Sequence, residues 1–291
     1  MKVLLTGATG FFGQHLSRRL KADGHEVLPV SRQPGIGFDW SASSLESGVN
    51  ASDAVIHLAG ENIFGKRWSR AQKAELLESR TLPTRQLAEL LAKKGSGTLI
   101  SASAVGYYGP RGNEELDENA PSGDDFLAKV CREWEMAAQE PLEGTQVRLA
   151  TVRIGVILGL DGGALKRMRL PFSLGLGGPV GNGRQVFPWI HVDDLARLFL
   201  FLLEDADACG PFNGTSPQAV SSAEFGRAFG RALRRPAFMP LPGFMLRLLL
   251  GESANVLLSG QRAVPKRAQE AGFAFEHPNL DEALKHLVSA I

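Results

Sequence analysis

Thr6-Gly7-Ala8-Thr9-Gly10-Phe11-Phe12-Gly13 is the stretch that decides how this chain folds. It fills the pattern G-x-x-G-x-x-G between an apolar run, residues 2–6, and a segment in which Phe12, Leu16 and Leu20 recur four apart. Apolar residues at that spacing share one face of a helix, so the stretch reads as strand, glycine turn, then a helix over 11–22. Gly7 allows the tight turn, Gly10 lets backbone approach a pyrophosphate, and Gly13 permits close packing of helix on strand. Thr9, Phe11 and Phe12 complete the loop. A phosphate would sit over the helix N-terminus, where free N–H groups and the helix dipole favour an anion. The expected ligand is a dinucleotide.

Further strands are expected at 26–30, 54–58, 98–101 and 146–154. Helices are expected at 124–139 and 193–203, the latter entered through Trp189-Ile190-His191-Val192. Residues 69–92 are helical in pattern, but Pro83 costs a hydrogen bond mid-helix, so two helices are expected, the second starting at Pro83. Strands alternating with helices predict an α/β, Rossmann-type doubly wound parallel sheet. After about residue 160 the texture becomes glycine-rich and then helical with prolines. A smaller, mainly helical C-terminal cap is expected from 161–186 and 205–291, with 187–204 returning to the nucleotide-binding domain of 1–160.

The second strand bears on which dinucleotide binds. NAD enzymes place an acid about 20 residues beyond the motif, on the adenosine ribose. Here Val27-Leu28-Pro29-Val30 ends in Ser31-Arg32. Arg32 can pair with a 2′-phosphate and Ser31 can donate to it, which favours NADP(H). Leu58-Ala59-Gly60 ends the next strand, on the carboxyl edge where the crevice would lie.

Composition excludes several alternatives. Lys+Arg 32 against Asp+Glu 31 leaves a formal charge of +1, with no basic face for a nucleic acid. Two cysteines, Cys131 and Cys209, make no disulfide framework, and no Cys/His cluster has zinc-ligand spacing, so no metal is expected. There is no signal-like or membrane-spanning run, which suggests a cytoplasmic protein with no membrane partner. H-E-x-x-H, G-x-S-x-G and the G-x-x-x-x-G-K-[ST] loop are absent. The expected partner is a small-molecule substrate, with Lys66-Arg67-Trp68 and Arg184 suited to an anion. A homodimer is compatible with the sequence, and the oligomeric state stays open.

TGATGFFG, VIHLAG (55–60), Ser101-Ala102-Ser103 followed by Tyr108-Gly109, and WIHVDDLA (189–196) resemble the extended short-chain dehydrogenase/reductases. AGENIFGKRW (59–68), SASAVGYYG (101–109), GDDFLAKVCREWE (123–135), LPFSLGLGGPVGNGRQ (170–185) and LLSGQRAVPKR (257–267) are similar to one atypical branch with a C-terminal extension. Its members are labelled "epimerase family protein" or nucleoside-diphosphate-sugar epimerase. The resemblance covers essentially the whole chain and implies NADP(H) binding and oxidoreductase or epimerase chemistry. It places cofactor contacts at Ser31, Arg32, Leu58 and Ala59, with Glu75, Arg80 and Val156.

That superfamily uses a Tyr-x-x-x-Lys pair on a helix and a serine on the preceding strand. The lysine lowers the phenol's pKa and the tyrosine exchanges a proton with the substrate oxygen. Ser103 matches the serine, and Lys129 lies in the expected helix, yet Asp125 stands four positions before it. The chain holds only two tyrosines, Tyr107 and Tyr108, followed four positions later by Arg111 and Gly112. Three readings follow. Tyr108 acts as the acid with Lys129 on the ribose; Asp125 or a substrate-bound water handles the proton; or no hydride moves and the protein is an NADP(H)-binding sensor.

Overall fold

The computed structural model describes residues 1–289. Six strands, β1 (Lys2–Thr6), β2 (Glu26–Val30), β3 (Ala54–His57), β4 (Thr98–Ala104), β5 (Arg148–Ile154) and β6 (Gly210–Gly214), form one sheet in the order β6-β5-β4-β3-β1-β2. Every pairing in it is parallel. The chain leaves β1 for β2 on one side and returns to β3 on the other. The topological switch therefore lies between the carboxyl ends of β1 and β3, where open α/β sheets bind ligands.

Helices α1 (Phe11–Ala22), α2 (Ala42–Ala51), α3 (Arg70–Lys94), α4 (Phe126–Gln139), α5 (Gly163–Ser173), α6 (Val192–Glu204), α7 (Ser222–Ala232) and α8 (Gly243–Leu250) follow in chain order. Val3 and Leu5 of β1 enter one apolar core with Phe12, Leu16, Leu195 and Phe199. Leu4 enters the other, with Leu45, Val49, Leu87 and Leu91. Successive strand residues point to opposite faces, so a sheet covered on both sides needs an apolar residue at every position. This is the doubly wound fold expected.

Three expectations change. The pattern over 69–92 folds as one helix, α3, with Pro83 inside it. Packing carries the helix through the proline: Leu76, Thr84, Leu87 and Leu91 are buried on both sides of it, and Trp134 Nε1 donates to Thr84 Oγ1 at 2.9 Å. β4 runs on to Ala104, because Ala102, Ser103 and Ala104 continue the ladder against Val152, Arg153 and Ile154. The cap segment 205–291 contains β6, a sixth strand of the main sheet. Gly-Pro-Phe-Asn-Gly does not read as a strand, and Pro211 is accommodated because β6 is at the edge.

The C-terminal segment packs into the body of the molecule. The short strand Arg262–Ala263 pairs with Glu115–Leu116. Ala268, Phe273, Leu280, Leu284 and Leu287 enter the same core as Val3 and Leu5.

Candidate dinucleotide site

The glycine turn is built as its residue types require. Gly7 has φ +70°, and a Cβ there would stand 3.0 Å from the Leu58 carbonyl carbon and 3.1 Å from the Ala59 nitrogen. A Cβ on Gly13 would collide with the Gly7 carbonyl oxygen. Gly10 caps α1 with no side-chain hydrogen bond, and no acidic residue stands in the first turn. That helix end is left open to an anion. Thr6 ties the two switch strands together: its Oγ1 accepts from the Leu58 N–H at 3.1 Å and the Ala59 N–H at 3.3 Å. Its own proton then goes to His57 Nδ1, 2.7 Å away. His57 is fully buried, and burial followed by the nearby Arg80 holds it down to about 3. It is a neutral ring with Nε2 lacking a partner among the described residues.

The other expected cofactor residues divide. Ser31 is buried and its Oγ accepts from the Gln33 N–H at 3.0 Å. Arg32 is exposed and forms no ion pair among the described residues, so its guanidinium is available at the end of β2. Phe11 packs against the backbone at Gly159 and Gly162, on the loop that follows Val156. Gly60 is covered by Arg80, whose guanidinium donates to the Leu76 carbonyl at 2.9 Å and the Glu61 carbonyl at 2.8 Å. These bonds fasten the 59–61 turn to α3. Glu75 is exposed and paired with Lys66 at 3.2 Å.

The expected catalytic group does not come together. Ser103 Oγ donates to Glu135 Oε1 at 2.7 Å, and Glu135 holds Arg153 through two bonds, of 2.9 and 2.8 Å. Tyr108 is buried, with its hydroxyl donating to Asn213 Oδ1 at 2.7 Å and accepting from Arg153 Nη1 at 3.1 Å. Burial raises its phenol to about 12, even with Arg153 alongside. Lys129 is exposed on the outer face of α4. The face turned toward β4 carries Leu127, Cys131 and Glu135: Leu127 and Cys131 pack on Gly106, and Glu135 reaches Ser103. Residues four apart share a helix face, so Leu127, Cys131 and Glu135 lie together on that side of α4, and Lys129 is not part of it. Burial, then Glu135, pushes the Cys131 thiol up to about 12, which makes it no acid–base group at neutral pH. Asp125 is the N-cap of α4 and accepts from the Ala128 N–H at 2.8 Å.

The description "NAD dependent epimerase/dehydratase family" matches residues 3–213. The chain belongs to that family. A domain of unknown function matches residues 241–287. The chain is 45% identical to the mouse epimerase family protein SDR39U1, over 99% of this chain and 100% of that one. It is 38% identical to the Bacillus subtilis epimerase family protein YfhF, over 99% of this chain and 98% of that one. Among solved structures, human SDR39U1 with NADPH superposes with a TM-score of 0.95 at 41% identity, each chain covered in full. A nucleoside-diphosphate sugar epimerase from Corynebacterium glutamicum gives 0.80 at 35% identity, covering 100% of this chain and 58% of that one.

Several residues of the site carried no signal in the sequence. Arg153, Asn213 and Glu118 come from three separate segments, and Glu118 Oε1 accepts from the Asn213 N–H at 2.9 Å. Leu127 and Cys131 could have been found: with Trp134, Glu135 and Ala138 they form one stripe of α4, from which Lys129 is excluded. The cations Lys66, Arg67 and Lys73 near Trp68 are engaged. Lys66 pairs with Glu75, Arg67 donates to the Leu248 carbonyl at 3.3 Å, and Lys73 pairs with Glu252 at 2.7 Å. The last two join the first half of the chain to α8 and the turn after it.

Proposed function

We propose that this protein binds NADP(H) across the β1/β3 switch and works through that binding, as a sensor or regulatory protein, without proton transfer by a Tyr-Lys pair. One observation carries the reading: Ser103 is committed to Glu135, and Lys129 is exposed, off the face of α4 that carries Leu127, Cys131 and Glu135. The residues present fit the nucleotide. The open end of α1 at Gly10 would take the pyrophosphate, and exposed Arg32 with Ser31 would take the 2′-phosphate. Bound nicotinamide would supply hydride donor or acceptor chemistry, for which Ser103, bonded to Glu135, and Tyr108, bonded to Asn213 and Arg153, are already engaged. NADPH titration tests the cofactor assignment: Arg32→Ala should raise the Kd for NADPH about tenfold or more, a loss of about 1.4 kcal/mol, and leave NADH unchanged. Equal binding of NADH by the parent protein would overturn it.

A second reading, an oxidoreductase or epimerase, is favoured by Tyr107. Its ring is half-buried, lies 3.5 Å from the Arg153 guanidinium, and its hydroxyl has no hydrogen bond among the described residues. Turnover of NADPH against carbonyl compounds and nucleotide sugars separates the two. Turnover abolished by Tyr107→Phe selects the enzyme; absence of turnover across the panel supports the sensor.

A further inference from the structure

His191, Asp193, His277 and His286 each bring one ligand atom to within 4.8 Å of all the others. His191 Nε2 and His286 Nδ1 are 3.3 Å apart, although 95 residues separate them in the chain. Two nitrogens each about 2.1 Å from a tetrahedral zinc ion stand about 3.4 Å from one another, so this pair is already at ligand spacing. The His277 ring centroid lies 3.9 Å from that of His191 and 4.6 Å from that of His286, and its nitrogens hold no hydrogen bond among the described residues. Behind them, the Asp193 carboxylate contacts His15 Nε2 at 2.5 Å and lies 3.6 Å from His191 Nδ1. His191 is buried while His286 is exposed, which gives a hydrated ion a way in.

We propose that this cluster is a zinc(II)-class site, with ring nitrogens of His191, His277 and His286 as ligands and the Asp193 carboxylate supporting His191. Three imidazoles and a remaining position for water suit zinc. Without metal, the Asp193 amide donates to His191 Nδ1 at 3.1 Å, which leaves the ring proton on Nε2, facing His286. The cation takes that proton's place at Nε2. The ring would take the other tautomer, with its proton kept on Nδ1 and donated in a hydrogen bond to the Asp193 carboxylate as the amide gives up its cap bond. His191 releases no net proton. Carboxylate, imidazole and metal then stand in the order common to zinc sites. The ion would bolt the C-terminal helix, Leu280–Ser289, onto the start of α6.

The test uses the full chain in a Cys209→Ser background, because Cys209 is an exposed thiol that could capture zinc. Zinc chloride is titrated against a chromophoric chelator, and cobalt(II) reports the geometry. Expected are one zinc per chain, a tetrahedral cobalt spectrum and a higher Tm with zinc. His277→Ala and His286→Ala, chosen because neither residue is fully buried, should each weaken zinc binding about tenfold or more and leave NADPH binding unchanged. No uptake of stoichiometric zinc, or uptake that survives both substitutions, overturns the proposal.

Discussion

Tyr108→Phe separates a structural tyrosine from a catalytic one. The substitution keeps the ring, which is fully buried, and removes only the hydroxyl. Two groups then lose a partner: Asn213 Oδ1, from 2.7 Å, and one Arg153 N–H, from 3.1 Å. Arg153 keeps both bonds to Glu135 and one to the Glu118 carbonyl, so its charge stays compensated. Leaving a buried polar group unpaired costs about 1–3 kcal/mol; with Arg153 mostly satisfied, the sum is about 3 kcal/mol. Urea denaturation at pH 7, followed by tryptophan fluorescence, should show that loss as a lower midpoint with an unchanged slope. NADPH affinity should stay within about twofold of the parent, since the hydroxyl faces β6 and not the switch crevice. A loss below about 0.5 kcal/mol, or abolished turnover in a fully stable protein, would refute the reasoning.

Three further outcomes follow from the same geometry. His57 is held to about 3 in the folded state against about 6.5 unfolded, so the stability tied to its neutral form is complete above pH 6.5 and is lost as pH falls toward 3. The loss should approach about 1.4 kcal/mol per pH unit, and His57→Asn should flatten the acid limb of urea midpoints measured from pH 7 to 4.5. Gly13→Ala should abolish NADPH binding by calorimetry, because its methyl collides with the Gly7 carbonyl and the turn must open. Pro83→Ala restores a donor to the Ser79 carbonyl within α3 and should raise stability by about 1 kcal/mol or more in the same urea assay.

The nucleotide end was legible in the sequence because its information is local. Strand, glycine turn and helix occupy residues 2–22, and each glycine answers a contact made within the loop or with the adjacent strand end. The opposite wall was not. Tyr108 finds the acceptor for its buried hydroxyl on Asn213, 105 residues away, and Ser103 owes its engagement to Glu135 on another element. Lys129 shows the difference between being in a helix and being on its working face. Two positions from Cys131 is about 200° around the helix, so the lysine points to solvent. The histidine cluster has no spacing to read, since its members meet only when the C-terminal segment returns to α6.

That return bears on where the protein can be cut. Asn213 Nδ2 donates to the carbonyls of Leu116 and Val264, at 3.2 and 2.9 Å, and the Glu118 carboxylate accepts from the Arg267 N–H at 3.2 Å. A chain ended after the last strand of the sheet would strip partners from the group that anchors Tyr108. It would also uncover β6, against which the segment holding Ala268 packs, and α7, against which the C-terminal helix packs. The junction between the two recognised sequence regions, 3–213 and 241–287, is thus no folding boundary. Neither part is expected to be expressible alone, and a fusion partner or tag belongs at the outer termini.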